Sequence, residues 1–424
     1  MTRSAAVSLE RLHRFNDSFA PRLEHGQPVP DGIRGVRVTG YLSDESGWGA
    51  AGRGYASALR QLRVPMRIYD LSALTTNRSE DDNLVRPDTI EDTDVNLVCV
   101  DAGRHFALVS KVGEPFFAGH YNIGVWAWEL PHFPESWYNR FAYYDEIWVG
   151  TSFIAAALSP ISPVPVVRIP PVVSAARGSR LRGRRRLNVD YGTFVFAFIF
   201  DVHSDLTRKN PNAIIGAFRR AFPHRKDVRL VLKSVNGASD PDGYRQLREC
   251  AAGARIDFYD EAWPAQEVDD LMAACDAYVS LHRSEGTGLT IAEATACGKP
   301  VITTDWSGNT DFADISNSFP VAYELTTVAS NVGPCKAGKT WAEPDMEHAA
   351  WLMRQVVDDS SLAARRGHAA RRRMRRDFSE EAVAALVRQR LDAIRSRNRL
   401  GVLRRTMAAF ADHRDLNDSN DPNE

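Results

Sequence analysis

The chain carries almost no net charge. Its 53 lysines and arginines stand against 54 aspartates and glutamates, a formal balance of −1. No global field therefore draws it to nucleic acid or to anionic lipid. It also lacks a cysteine framework. The five cysteines, Cys99, Cys250, Cys275, Cys297 and Cys335, are scattered, odd in number and never spaced as CxxC. That argues against a zinc site and against disulfide staples. Cys99, Cys275 and Cys297 sit in apolar runs and read as small core residues. No run approaches the roughly 18 apolar residues of a membrane helix. The opening MTRSAAVSLERLHRF has no apolar signal core. The expectation is a cytoplasmic protein. Basic charge is local, in Arg177–Arg186 (RGSRLRGRRR) and Ala364–Arg376 (ARRGHAARRRMRR). These runs read as solvated linker and helix faces, or as a peripheral contact with the inner face of a membrane.

What is present is an ordinary globular mix, 44% apolar and 25% charged over 424 residues, enough for two or three domains. Short apolar strands alternate with helical patterns. The first strand is expected at Gly35–Leu42, followed by a glycine-rich loop Ser46–Gly54 and a helix Tyr55–Leu62. A strand Met66–Leu71 leads into a polar, acidic insertion running to Thr93. Further strands are expected at Asn96–Asp101, Asn122–Ala127 and Glu146–Val149, and then the composition changes. Prolines and arginines at Pro170–Arg186 separate this series from a second, which starts with the buried-strand pattern Thr193–Phe200. The pattern implies an α/β protein with two doubly wound, Rossmann-like domains facing across a cleft. The expected division is 1–172, a linker 173–190, 191–378, C-terminal helices 379–411 and a disordered tail 412–424; whether those helices fold back on the first domain is open.

The second series ends in the stretch that carries chemistry, Ser284–Asp311 (SEGTGLTIAEATACGKPVITTDWSGNTD). Glu285 is followed by Gly286 and Gly288, then by a helical pattern bearing Glu293 eight residues on. A glycine turn entering a helix exposes backbone N–H groups and a positive dipole end, which suits phosphate. Carboxylates on either side accept hydrogen bonds from sugar hydroxyls. Phosphate between sugars describes a nucleotide-sugar site. The basic pair Arg208-Lys209 follows the first strand of the same domain and can converge on it.

Two other glycine motifs match familiar patterns. Gly47-Trp48-Gly49-Ala50-Ala51-Gly52 fits GxGxxG, with Asp70 placed 18 residues on for a ribose. Its lead-in Ser43–Ser46 is too long for the tight dinucleotide turn. A cleft loop approaching a phosphate or acceptor is preferred to an NAD-dependent oxidoreductase. Gly333–Thr340 matches the P-loop letters, but Pro344 follows and no buried strand precedes it. It reads as an excursion on the surface or cleft rim. Asp92-Thr93-Asp94 is a DxD only by letters, preceding a strand instead of following one, and reads as solvated.

Glu285 to Glu293 is an E-x7-E spacing. The stretch around it resembles the donor site of retaining GT-B glycosyltransferases of family 4. FDVHSDLTRKNPNAIIGAFRRAF (Phe200–Phe222) and WAEPDMEHAAWLMR (Trp341–Arg354) resemble other donor-domain segments of that family. NIGVWAWELPHFP (Asn122–Pro134) resembles the acceptor domain of members that build bacterial surface polysaccharides. The resemblance implies that Glu285 meets the donor sugar and Glu293 the ribose. It implies that Thr287, Gly288, Leu289 and Thr290 hold the diphosphate, that Lys209 with Arg208 neutralises the leaving group, and that Gly49 and Gly52 approach it from the other domain. It implies no metal and no cofactor, with a nucleotide-sugar donor and a saccharide or lipid-linked acceptor as partners. Two departures stand out. Asp201 occupies a position where many members have arginine. No histidine ends the acceptor-domain strand, where Glu129 stands, with His105 as the other acceptor-side candidate. A catalytically silent nucleotide-binding protein of the same fold is the remaining alternative. The base, whether UDP, GDP or ADP, is left open.

Overall fold

The computed structural model describes residues 33–75, 92–331 and 335–396. The lead-in 1–32, most of the acidic insertion and the tail expected at 412–424 lie outside the described residues.

The first domain is a six-stranded parallel sheet: β1 Val36–Gly40, β2 Met66–Asp70, β3 Val95–Cys99, β4 Tyr121–Trp126, β5 Glu146–Val149 and β6 Val166–Arg168, in the order β2-β1-β3-β4-β5-β6. Helices α1 (Gly47–Gln61), α2 (His105–Val112) and α3 (Ser152–Leu158) connect the strands, with a 3₁₀ segment Glu135–Tyr143 after β4. The chain then enters the second domain through α4 (Arg180–Arg186). Its strands are β7 Phe194–Asp201, β8 Val228–Val235, β9 Ile256–Asp260, β10 Ala277–Ser280, β11 Val301–Thr304 and β12 Phe319–Val321, in the order β12-β11-β10-β7-β8-β9. Its helices are α5 (Leu206–Lys209), α6 (Pro211–Ala221), α7 (Pro241–Ala251), α8 (Ala265–Ala274) and α9 (Leu289–Ala296), then α10 (Met346–Asp358) and α11 (Ser360–Asp377) after an antiparallel hairpin β13 (Tyr323–Thr327) and β14 (Thr340–Pro344). In each sheet the strand order reverses once, at β1/β3 and at β7/β10. Ligands in such sheets bind outside the strand C-termini at that reversal.

Two expectations are corrected. The glycine-rich segment expected as a loop is the first two turns of α1. Ser46 caps it, its hydroxyl accepting the Gly49 N–H. Tertiary packing overrides the poor helix propensity of glycine, because a Cβ at Gly49 would meet the Asp44 and Tyr41 carbonyls and one at Gly52 would meet Leu42. The arginine run expected in a solvated linker is α4, packed on α8. Arg182 pairs with Asp270, and buried Arg184 pairs with Asp276. Those acids lie far away in sequence, so the run looks unpartnered in one dimension. The segment expected as an excursion on the surface or cleft rim is exposed over 336–339, while Cys335, with Val328 and Trp341 on either side, packs in the aromatic core of the first domain; Gly333 and Pro334 lie outside the described residues.

A final helix, α12 (380–396), crosses back to the first domain, where Val383, Ala384, Val387, Leu391 and Ile394 pack with β1, β3 and β4. Glu146 is fully buried beneath it and accepts from Arg390, from the Tyr121 hydroxyl at 3.0 Å and from the Trp148 indole at 2.6 Å. Arg390→Met should therefore destabilise the fold by about 3–5 kcal/mol, since it leaves a buried carboxylate without its cation. Urea unfolding measures it; a loss under about 1 kcal/mol would show that the pair is dispensable.

Candidate active site

The reversal in the second sheet places two loops side by side: 202–210 after β7 and 281–288 after β10. The backbone ties them, Arg283 N–H donating to the Arg208 carbonyl at 2.8 Å. Asp205 caps the short α5 by accepting from the N–H groups of Thr207 and Arg208, and Asn210 ends it in the left-handed region at φ 54°. That turn aims Arg208 and Lys209 at Glu285. Lys209 Nζ lies 2.6 Å from Glu285 Oε1, and Arg208 Nη1 lies 3.5 Å from Oε2. Arg208 also donates to the carbonyls of Ser284 and Ser204, both at 2.9 Å, and is 7% exposed. Burial works against the Glu285 charge, but Lys209 and then Arg208 outweigh it and hold the carboxyl at about 2. The glutamate is ionised at any working pH.

Gly288 begins α9 at φ 74°, a conformation that favours glycine, with no side-chain cap over the first N–H groups of the helix. Glu293 sits one turn along α9 on the wall of a cavity of about 430 Å³ between the domains, shared with Arg53, Arg60, Val172–Ser174 and Leu289. Burial, and then Asp269, push its carboxyl up to about 7. At neutral pH Glu285 is fully ionised while Glu293 is near its midpoint.

The other domain closes over this loop. Thr151 donates its hydroxyl to the Gly286 carbonyl at 2.7 Å, Ser284 donates to the Glu129 carbonyl, and Arg168 pairs with Asp311 at 2.7 Å. The Glu129 carboxylate stands 3.9 Å from Arg208, at the edge of the cation pair. Among the glycines of α1, Gly47 is the one that faces the N-terminus of α9, where a Cβ would meet the Leu289 side chain; Gly49 and Gly52 pack within their own domain.

His105 is not in the cleft. It is fully buried among Phe106, Phe117, Tyr143 and Tyr144, with Nδ1 3.1 Å from the Tyr144 hydroxyl, and burial drops its pKa to about 3. The neutral ring packs as core. Asp70 accepts from the N–H of Leu42 and Ser72 and from the hydroxyls of Ser43 and Ser72. With its oxygens occupied and the glycines inside a helix, the dinucleotide reading fails. Asp94 is not solvated; it holds Arg34 with two side-chain hydrogen bonds at 2.8 and 2.6 Å. Asp201 is turned to its own loop, accepting from the His203 N–H and from Asn236.

One residue was missed. His282 is fully buried below the loop, and burial keeps it neutral, with a pKa of about 4. Glu285, the next-largest influence, pulls the other way. Its place three residues before Glu285 was the available signal.

Residues 196–314, which include Arg208, Lys209, Glu285 and Glu293, match the family profile described as Glycosyl transferases group 1. Anabaena HepE in complex with UDP and glucose is 12% identical with a TM-score of 0.58, covering 85% of this chain and 100% of its own. Sucrose-phosphate synthase from Thermosynechococcus elongatus is 15% identical with a TM-score of 0.59, covering 89% and 100%. A glycosyltransferase from Rickettsia africae is 14% identical with a TM-score of 0.60, covering 85% and 97%. No curated protein sequence matches the chain. At such identities the likeness is one of fold, and the fold is GT-B. No helix among the described residues is long and apolar enough to cross a membrane.

Proposed function

We propose that this GT-B glycosyltransferase moves a sugar from a nucleotide-sugar donor to a hydroxyl acceptor with retention of anomeric configuration, in the manner of family 4. The observation that carries the reading is the clamp of Lys209 and Arg208 on Glu285 beside the open N-terminus of α9. Cations and a helix dipole at one point suit a departing diphosphate, and they do so without a metal. Glu285 then meets hydroxyls of the donor sugar, Thr287–Thr290 hold the diphosphate, and Glu293 accepts from the ribose. The bond from the anomeric carbon to the phosphate oxygen breaks, and the nucleoside diphosphate leaves with the electron pair. The acceptor oxygen bonds to the same face of the carbon, and its proton passes to the leaving phosphate. No side-chain base is required. Assembly of a bacterial polysaccharide or glycolipid at the inner face of a membrane is the setting that the acceptor-domain resemblance favours.

Thermal unfolding with UDP, GDP, ADP and their sugars identifies the donor, because a ligand bound only by the folded state raises its stability. NMR of the product then reads the anomeric configuration. An inverted product would overturn the retaining assignment.

A pH dependence follows from Glu293. Its carboxyl is protonated below about 7. A carboxylate accepts ribose hydroxyls better than a neutral acid does. Nucleotide affinity should therefore rise as pH increases from about 6 to 8, by up to roughly tenfold. Calorimetry in two buffers of different ionisation enthalpy should show proton release on binding. Glu293→Gln should flatten the profile; a profile that stays steep would place the titrating group elsewhere.

A further inference from the structure

The acceptor-side wall holds a charge that its own protein leaves unpaired. Arg140, in the 3₁₀ segment after β4, is 6% exposed. Its Nε and Nη1 are buried and make no hydrogen bond. The guanidinium carbon lies 4.9 Å from the ring centres of both Phe106 and Trp137. Aromatic rings stabilise a cation but give its N–H groups no oxygen. Asp101 is the anion near enough to act on it through space, but that carboxylate accepts the Arg104 N–H at 3.1 Å and lies 3.8 Å from Arg104 Nε. A second orphan shares the spot. His105 Nε2 is buried without a partner, and its ring centre is 5.9 Å from Phe106. Natural proteins rarely bury a guanidinium without an oxygen partner, because the desolvation is uncompensated.

The place is informative. Trp137 packs on Trp128, ring centres 5.3 Å apart, and the Trp128 carbonyl faces Gly286 of the donor loop. Arg140 thus stands behind the first aromatic layer of the acceptor wall. Phe106, which covers it, is 47% exposed, and the Arg104 side chain on the same loop is 51% exposed. Phe106 thus lies at the surface, and Arg104, two residues before it, stands beside Asp101 with its guanidinium 5.4 Å from the Tyr41 ring centre.

We infer that Arg140, with Arg104 at its rim, is an anion subsite that binds a carboxylate or phosphate group of the acceptor. The planar guanidinium matches the two oxygens of either group. The acceptor is then an acidic saccharide or a phosphorylated one, not a neutral sugar. This assignment rests on the glycosyltransferase reading for calling the ligand an acceptor, while the anion site itself is independent of it.

Thermal unfolding of the full chain with glucuronate, glucose 6-phosphate or glucose, at matched ionic strength, tests it. One or both anions should raise the wild-type midpoint by about 2 °C or more at millimolar concentration, and glucose should not. The arm that responds tells carboxylate from phosphate. Arg140→Met should lose the anion shift and keep the shift with the nucleoside diphosphate. If Arg140→Met does not fold, Arg140→Lys keeps the charge without the fork and should lose at least tenfold in anion affinity. A wild type indifferent to both anions, or a variant that keeps the full response, overturns the subsite. A wild type that responds to the anions but to no nucleoside diphosphate overturns the donor reading and leaves the subsite standing.

Discussion

Glu285→Gln is expected to lower the transfer rate by roughly 10²–10³-fold, the scale on which a preorganised electrostatic group acts. The change keeps the shape of the side chain and removes its charge. Two buried or half-buried cations then lose their shared carboxylate: Lys209 at 2.6 Å and Arg208 at 3.5 Å. Lys209 is held in place by that charge, while Arg208 keeps the Ser284 and Ser204 carbonyls as well, so the loss falls mainly on the alignment of Lys209 with the leaving group. Nucleotide binding should change much less, since Glu293 and the α9 N-terminus are untouched. The variant should also unfold more easily, by about 3 kcal/mol, because breaking one side of a buried charge cluster strands the other. Steady-state rates with the donor found by unfolding shifts read the first effect, and urea titration the second. A variant that keeps more than about a tenth of wild-type turnover would remove Glu285 from the reaction.

The meeting of Arg208 and Lys209 with Glu285 was legible in the sequence for a physical reason. They sit on short loops after predictable strands, so Glu285, the glycines and Lys209 fall at positions that periodicity already fixes. Strands such as Met66–Asp70, Tyr121–Trp126 and Glu146–Val149 were readable on the same grounds. What was hidden depends on contacts between distant segments. The glycines of α1 look like a loop until the carbonyls of Tyr41 and Asp44 pack against them. The arginines of α4 look solvated until Asp270 and Asp276 arrive from the other side of the domain. His105 looked like an acceptor-side candidate because it follows a strand, and only the ring of aromatics around it reveals a core residue. Arg140 carried no local signal, since a single arginine in an aromatic stretch reads as surface.

The second large effect concerns closure. Gly286 lies where the two domains touch. A Cβ there would press on the Trp128 carbonyl, and the Gly286 carbonyl itself takes the Thr151 hydroxyl at 2.7 Å. Both partners belong to the first domain. Gly286→Ala should therefore leave each domain folded and hold the two apart. Transfer should fall at least about 100-fold, since displacement of reacting groups by about 1 Å carries that penalty. The unfolding midpoint and the response to the nucleoside diphosphate should stay close to wild type. Gly308→Ala supplies the contrast. A Cβ at Gly308 would overlap the carbonyl of Gly286 within the second domain, where Gly308 N–H also donates to the Glu285 carbonyl at 2.9 Å. That clash is of the new methyl against fixed backbone of the same domain, with no domain motion to relieve it. It should cost stability and nucleotide binding together. Small-angle scattering with and without the nucleotide separates the two cases: Gly286→Ala should stay open on binding, where the wild type is compact. If Gly286→Ala transfers normally, the interdomain contact is not required for the reaction, and alignment must come from the donor loop alone.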